Sequence, residues 1–326
     1  MDPNTESYNR SGVFLQTFVG NELEKQGWEK IFEHPVIIAP FNGDPNKAFV
    51  DEGFHGLPSV VPPEKYVQAM RDCQNKFLLT ERSIDVIGSK AIKNTRIKLC
   101  IECKKLNPKY VEWCFFQQNE IPKEMHVITK SIRTSGQVRL FEVPQTEKYH
   151  NEIYVEINYR YNQYDLFPNT IADFGIALTN EKLKDEYFKT EKTVVDEACR
   201  QIIEGTYGLI LESLIHQILT GTAEEYSGAT DVYLPIVVTN ASLKLCKYDS
   251  KKIDPKTGHI TEEPKYEKIN SIVYECNSPK NVQFPSPLFA NLLPEHRRAT
   301  SKWYILIMTP KGLHDLLQKL NKKVEL

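Results

Sequence analysis

Two apolar runs joined by a short polar turn constrain this chain more than any other feature. The first covers Phe77 to Ile87 and leads through Ser83-Ile-Asp-Val-Ile-Gly88; the second covers Thr95 to Cys103 and continues as Ile97-Lys-Leu-Cys-Ile-Glu-Cys-Lys104. Side chains alternate faces along a strand. On the second run, Lys98, Cys100, Glu102 and Lys104 therefore share one face, and Leu99, Ile101 and Cys103 share the other. The apolar face is expected to pack, while the other fixes a carboxylate two residues from an ammonium. Asp85 stands in the first run between Ile84 and Val86. A charge inside an apolar run is costly to bury unless it is paired or binds a metal. If the runs are antiparallel neighbours, Asp85 and Glu102 converge on one site.

The pattern around these runs is mixed. Phe14, Leu15, Phe18, Val19 and Leu23 repeat at helical spacing, which predicts a helix over Val13 to Gln26, with Ser11 as N-cap and Gly27 as C-terminal cap. Pro35 to Pro40 reads as a short strand, 41–63 as loop, and Lys65 to Lys76 as a short helix. Strands are expected at Val111 to Phe116, Val127 to Ile132 and Val138 to Val143. A long helix is expected at Thr193 to Leu219, with a broad apolar face, and an apolar strand at Val232 to Val238. In the tail, Asp254-Pro-Lys-Thr-Gly258 is a turn signal. Ser271 to Glu275 and Trp303 to Met308 read as strands, and Lys311 to Leu320 as a closing helix. No repeat or linker interrupts the chain. The order predicts one elaborated α/β (α+β) domain over 1–326, a central mixed sheet flanked by helices.

Composition narrows the setting. The chain has 326 residues, 40% hydrophobic and 26% charged, as in ordinary soluble globular proteins. No stretch approaches the ~18 apolar residues of a membrane span, and the polar N-terminus lacks a secretory h-region. The seven cysteines are odd in number and scattered, which fits no disulfide framework and suits a reducing cytoplasm. Net charge is −2, so no global field advertises nucleic acid. Locally, Lys90, Lys93, Arg96, Lys98, Lys104, Lys105 and Lys109 face a single acid, Glu102, between residues 89 and 109. A solvated face is the ordinary reading of such a run.

Two converging carboxylates suit a hard cation such as Mg²⁺, and a neighbouring lysine suits charge developing on a phosphate. An acid in one strand followed by Glu102-Cys103-Lys104 in the next resembles the PD-(D/E)xK, restriction-endonuclease-like nuclease superfamily. The resemblance implies a Mg²⁺-dependent (or Mn²⁺-dependent) endonuclease acting on DNA, in a restriction or defence context. Asp85, Glu102 and the main-chain carbonyl of Cys103 would be metal ligands, and Lys104 the catalytic lysine. It implies a core of helix, three strands, helix and strand. That core maps to about 10–118 plus 191–240, with a β-rich insert at about 119–190 and a C-terminal extension at about 241–326. Ile84 replaces the motif proline. Many relatives carry a first-helix glutamate about eleven residues before the closing glycine; Gln16 stands there, and Glu22 is a nearby substitute. Loss of that acid would suit a non-catalytic nucleic-acid-binding or protein-interaction module on the same core. Many such nucleases are dimers, and the long helix offers a face for a homodimer.

Other signals are weaker. Cys100-Ile-Glu-Cys103 has C-x-x-C spacing, but on a strand the two thiols point to opposite faces. The histidines, His216 among them, form no ligand motif. No nucleotide-cradling glycine loop and no serine-hydrolase elbow is present. Tyr154, Tyr159, Tyr161, Tyr164 and Phe167 read as strand and loop packing or as a base-stacking platform, with Lys130, Arg133 and Arg139 as phosphate contacts if that insert faces DNA.

Overall fold

The computed structural model describes residues 12–38, 80–92, 95–105, 110–118, 125–132, 153–160, 167–168, 170–172, 174–182, 188–191, 193–220, 230–277 and 302–324. The expected loop at 41–63, helix at Lys65 to Lys76, strand at Val138 to Val143 and cap at Ser11 lie outside them. So do Tyr161, Tyr164, Arg133, Arg139 and the side chains of Tyr154, Tyr159, Lys130 and His216.

Helix α1, Val13–Lys25, starts from Gly12 at φ 81°. It stops where the periodicity predicts. Gly27 adopts φ +71°, its N–H bonds the Glu24 carbonyl at 2.9 Å, and the Trp28 N–H bonds the Leu23 carbonyl at 3.0 Å. This is a Schellman closure, in which a left-handed glycine lets the chain turn back and satisfy the last carbonyls. Val19 and Leu23 are buried, whereas Phe14 and Phe18 stay exposed.

Strand β1, Glu29–Ile38, follows at once. It is longer than the proline-bounded segment suggests, because it starts six residues before Pro35. The strands after it are β2 (Thr80–Ile92), β3 (Thr95–Lys104), β4 (Tyr110–Gln118), β5 (Met125–Ile132), β6 (Ile153–Arg160), β7 (Ile171–Ala172), β8 (Phe174–Lys182) and β9 (Phe188–Glu191). Helix α2, Thr193–Thr220, leads to β10 (Thr230–Thr239), β11 (Ser242–Tyr248), β12 (Lys265–Ile269), β13 (Ser271–Asn277) and β14 (Lys302–Met308), and α3, Pro310–Val324, closes the described chain.

Among the described residues the strands form two sheets. The larger runs β1-β2-β3-β10-β14-β13-β7, with β5 beside β10 and β6 beside β5. The pairs β1–β2 and β2–β3 are antiparallel, whereas β3–β10 and β10–β14 are parallel. Parallel neighbours need a crossover, and the path from β3 to β10 includes α2. The smaller sheet runs β12-β11-β4-β8-β9. This corrects one expectation: the segment around Val111 to Phe116 is a strand, but it pairs with β8 and β11 in the second sheet and not beside β3. Strands of 119–190 and of 241–326 enter both sheets.

The larger sheet is covered on both faces. On one, Ile202, Ile203, Tyr207 and Ile210 of α2 pack with Ile84, Ile87, Cys100 and Val237. On the other, Val19 and Leu23 of α1 and Leu313 and Leu317 of α3 pack with Val86, Leu99, Ile101 and Ile236. The β3 face that carries Glu102 is therefore not open; α2 lies across it. Residues 202–210 of α2 are buried in this chain's own core. No helix of the described residues is long and apolar enough to cross a membrane.

The turn at Asp254 forms as its residues predict. Gly258 has φ +70° and donates to the Asp254 carbonyl at 2.8 Å, while the Asp254 carboxylate accepts from Lys256 N–H and the Thr257 hydroxyl.

Helix α3 seats tightly through Gly312. A methyl group there would lie 2.3 Å from the main-chain carbonyl oxygen of Asn270, at the start of β13. A backbone atom cannot swing aside as a side-chain tip can. Gly312→Ala should therefore cost about 1–3 kcal/mol despite alanine's better helix propensity, which thermal or urea unfolding will read; an unchanged or raised midpoint would refute this seating.

Candidate functional site

The site lies where β2 and β3 part. Their register runs from Ile92↔Thr95 to Val86↔Ile101. At the next position the Asp85 side chain replaces the ladder: its Oδ2 accepts the Cys103 backbone N–H at 2.7 Å. The carboxylate thus satisfies a main-chain donor that the divergence would otherwise strand. On the outer side, β1 pairs Phe32↔Val86 and His34↔Ile84, and Glu33 between them has φ 48°. Glu33, Asp85 and Glu102 accordingly take corresponding places on three adjacent strands, and the Glu33 charge is felt at Asp85.

Helix α1 reaches the same point. The Gln16 side chain is near enough to Asp85 to pull its pKa down against the effect of burial. The position read as the missing helix acid does face the site, with an amide in its place. Glu22 does not substitute. It is buried elsewhere, with Oε1 2.6 Å from Nδ1 of His314 on α3.

Glu102 is 6% exposed, and its Oε1 lies 2.7 Å from Lys104 Nζ. Two residues apart on one strand face, they meet as the alternation predicts. Lys104 also donates to the Gln201 side-chain oxygen on α2, so a helix residue 97 positions away fixes the ammonium. Lys104 is half-buried beneath α2 and does not stand on an open face. One turn along α2 from Arg200 is Glu204, whose Oε2 accepts from Arg82 Nε at 2.6 Å and whose Oε1 lies 3.2 Å from Arg200 Nη1. Arg82, three residues before Asp85, is close enough for its charge to act on Glu102.

Burial sets the protonation behaviour. Desolvation pushes the Glu102 carboxyl up to about 7, the neighbouring Asp85 charge adds to this, and Lys104 opposes it. Asp85 is likewise raised by burial, against the lowering effect of the Cys103 N–H, Lys104 and Gln16. Two carboxylates are thus held close together with less positive charge than they need to ionise freely. Such coupled, raised acids mark functional sites more often than structural ones.

The cysteines follow the face rule. Cys100 packs in the cluster under α2 and Cys103 in the cluster under α1. Burial lifts the Cys100 thiol to about 12 and raises Cys103 further, with Asp85 and Glu102 adding to the effect there. Neither is a thiolate at neutral pH, as zinc or redox chemistry would require. The six described cysteines are all free. Phe167, the member of the aromatic cluster whose side chain is described, is buried in the core.

The basic run is not a simple solvated face. Lys90 Nζ bonds the Gln26 carbonyl at 3.1 Å and Asn321 Oδ1 at 2.8 Å. Arg96 grips buried Asp231 through two bonds of 2.8 and 3.1 Å, and Lys98 lies 3.8 Å from the same carboxylate. These cations brace α1 to α3 and β3 to β10.

Sequence reading missed Glu33, Arg82, Arg200, Gln201 and Glu204. Only Glu204 carried a visible signal, an acid inside the most apolar stretch of α2.

Asp85 and Glu102 offer hard oxygen donors, and burial raises the pKa of both. Among the described residues no group of three or more His, Cys, Asp or Glu side chains is arranged to hold a metal ion. Two carboxylates with water and substrate oxygens are nonetheless a usual Mg²⁺ set. Comparison of the chain with protein-family models, curated proteins and solved structures finds no match.

The raised Glu102 value makes a stability statement. Its carboxyl titrates near 4.5 when unfolded and near 7 when folded. Between these values the folded chain keeps a proton the unfolded chain has lost, so stability falls as pH rises across this window. Glu102→Gln removes that titration. In chelator at pH 8 the variant should be more stable than the wild type by on the order of 1–3 kcal/mol, and the gain should vanish below about pH 4.5. A less stable variant at pH 8 would show that the Lys104 pairing outweighs burial.

Proposed function

We propose that this chain is a divalent-metal-dependent nuclease that hydrolyses phosphodiester bonds in DNA. The observation that carries the reading is the meeting of Asp85, Glu102 and Lys104 at the divergence of β2 and β3. The order of elements supports it: with β4 to β9 set aside as an insert, α1, β1, β2, β3, α2 and β10 follow as helix, three strands, helix and strand, the four strands lying side by side in the larger sheet. That is the order of the restriction-endonuclease-like core, reached with β1 in place of the segment around Val111 to Phe116.

Asp85 and Glu102 would hold Mg²⁺ or Mn²⁺, with the Cys103 carbonyl as a further donor. When bound, such a cation supplies Lewis acidity toward a phosphate and acidifies a coordinated water. The chain's own residues do the rest. Asp85 is oriented by the Cys103 N–H and Gln16. Lys104, held by Glu102 and Gln201, stabilises charge that grows on the phosphate oxygens as the bond breaks. The alternative, a nucleic-acid-binding or protein-interaction module without catalysis, is favoured by one observation: Gln16 supplies an amide where an active helix would supply an acid.

Cleavage of plasmid and single-stranded DNA with Mg²⁺ or Mn²⁺ separates the two. Glu102→Ala and Lys104→Ala should each lower cleavage by about 100-fold or more while the fold persists, and chelator should abolish it. Cys103→Ser should cleave normally, since only its carbonyl is used. DNA bound without cleavage under all these conditions would favour the binding module.

Metal binding also competes with protons at Glu102. The rise in melting temperature on adding Mg²⁺ should be larger at pH 8 than at pH 6, and absent in Glu102→Gln. A pH-independent rise shared by that variant would place the cation elsewhere.

A further inference from the structure

Beside the proposed centre, α2 and β2 build a second charged arrangement that the catalytic reading does not use. Glu204 has 1% of its side chain exposed, while its two partners, Arg82 and Arg200, are 31% and 43% exposed. One buried carboxylate thus meets two guanidiniums, both partly open to solvent. A single arginine would suffice to neutralise Glu204. The pair is tied to the site from both sides. Arg82 lies on the strand that carries Asp85, and its charge acts on Glu102. Arg200 adjoins Gln201, the residue that fixes Lys104.

The bonding atoms matter. Arg82 meets Glu204 through Nε, and Arg200 through Nη1. A guanidinium carries five N–H donors in a rigid plane, so one anchoring contact orients each fork and leaves other donors for an anion. Two forks held in this way match phosphate oxygens better than flexible lysines do. Burial of the anchor matters too, because an exposed carboxylate would compete for the forks and repel phosphate.

We propose that Arg82 and Arg200, anchored by buried Glu204, form a clamp for a backbone phosphate of the nucleic acid, next to the bond that Asp85, Glu102 and Lys104 address. The clamp rests on the nuclease reading for its substrate. It assigns the arginines to binding and register, not to bond breaking.

The test is fluorescence anisotropy of the full chain with labelled single-stranded and duplex DNA, in chelator so that cleavage does not intrude, across a salt series. Arg82→Gln and Arg200→Gln each leave the other arginine on Glu204, and Arg82→Gln with Glu204→Gln leaves no buried carboxylate at that point. Each single variant should bind roughly tenfold more weakly or worse. The slope of log affinity against log salt should shrink by about 1 per lost phosphate contact, with the melting temperature nearly kept. Arg200→Lys, which keeps charge but not the fork, should recover the slope but only part of the affinity.

Wild-type binding with unchanged affinity and slope in the variants would overturn the clamp and leave the nuclease reading standing. Weaker binding that tracks a lost melting temperature, at unchanged slope, would also overturn it, by making the triad a brace between α2 and β2. No DNA binding by the wild type would overturn the clamp and remove the nuclease reading's substrate together.

Discussion

One hydrogen bond organises this molecule: the Asp85 carboxylate on the Cys103 N–H, at 2.7 Å. It marks where two antiparallel strands stop pairing and a side chain takes over from the backbone. Because the bond is made to a main-chain donor, Asp85 is fixed relative to β3 and not merely near it. Glu102 and Lys104, either side of Cys103, inherit that fixed position. The cost is visible in the raised pKa of both carboxyls. A sheet optimised only for stability would place neutral residues there.

The second organising element is α2. It closes the sheet face that carries Glu102, and it contributes polar groups at a single turn: Arg200, Gln201 and Glu204. Between and just beyond these residues it is a core helix, with Ile202, Ile203, Tyr207 and Ile210 all buried. Packing energy therefore fixes the height and rotation of the helix, and the polar turn is positioned by that packing. The Lys104–Gln201 and Arg82–Glu204 contacts join residues 97 and 122 positions apart, so the share that α2 adds to the site is assembled by tertiary structure and not by a local motif.

What the sequence disclosed follows from that distinction. The alternation of Lys98, Cys100, Glu102 and Lys104 against Leu99, Ile101 and Cys103 was legible because a strand's period is two and both faces are buried differently. Asp85 stood out as a lone charge among isoleucines and valines. Gly27 and Gly258 were legible because a positive φ favours glycine. The extent of β1 was hidden by Pro35, which suggested a boundary, and by Glu33, whose left-handed conformation breaks the alternation. The sheet membership of the segment around Val111 to Phe116 was hidden because an apolar strand looks the same in either sheet. Arg82 and Arg200 were hidden because their anchor lies far away in sequence.

The order in which the layers arrive along the chain has a consequence for synthesis. The β2–β3 hairpin is complete by Lys104, yet α2 begins at Thr193 and β10, the parallel neighbour of β3, at Thr230. Both faces of the hairpin are apolar, and the free edge of β3 waits more than a hundred residues for its partner. At ordinary elongation rates of about 5–20 residues per second, that edge is exposed for several seconds on the ribosome. Long-range parallel pairing is also slow to form. The nascent chain therefore passes through a stage in which this strand is unshielded, and its charged side chains, Arg96, Lys98, Glu102 and Lys104, disfavour edge pairing with other chains until its own cover emerges.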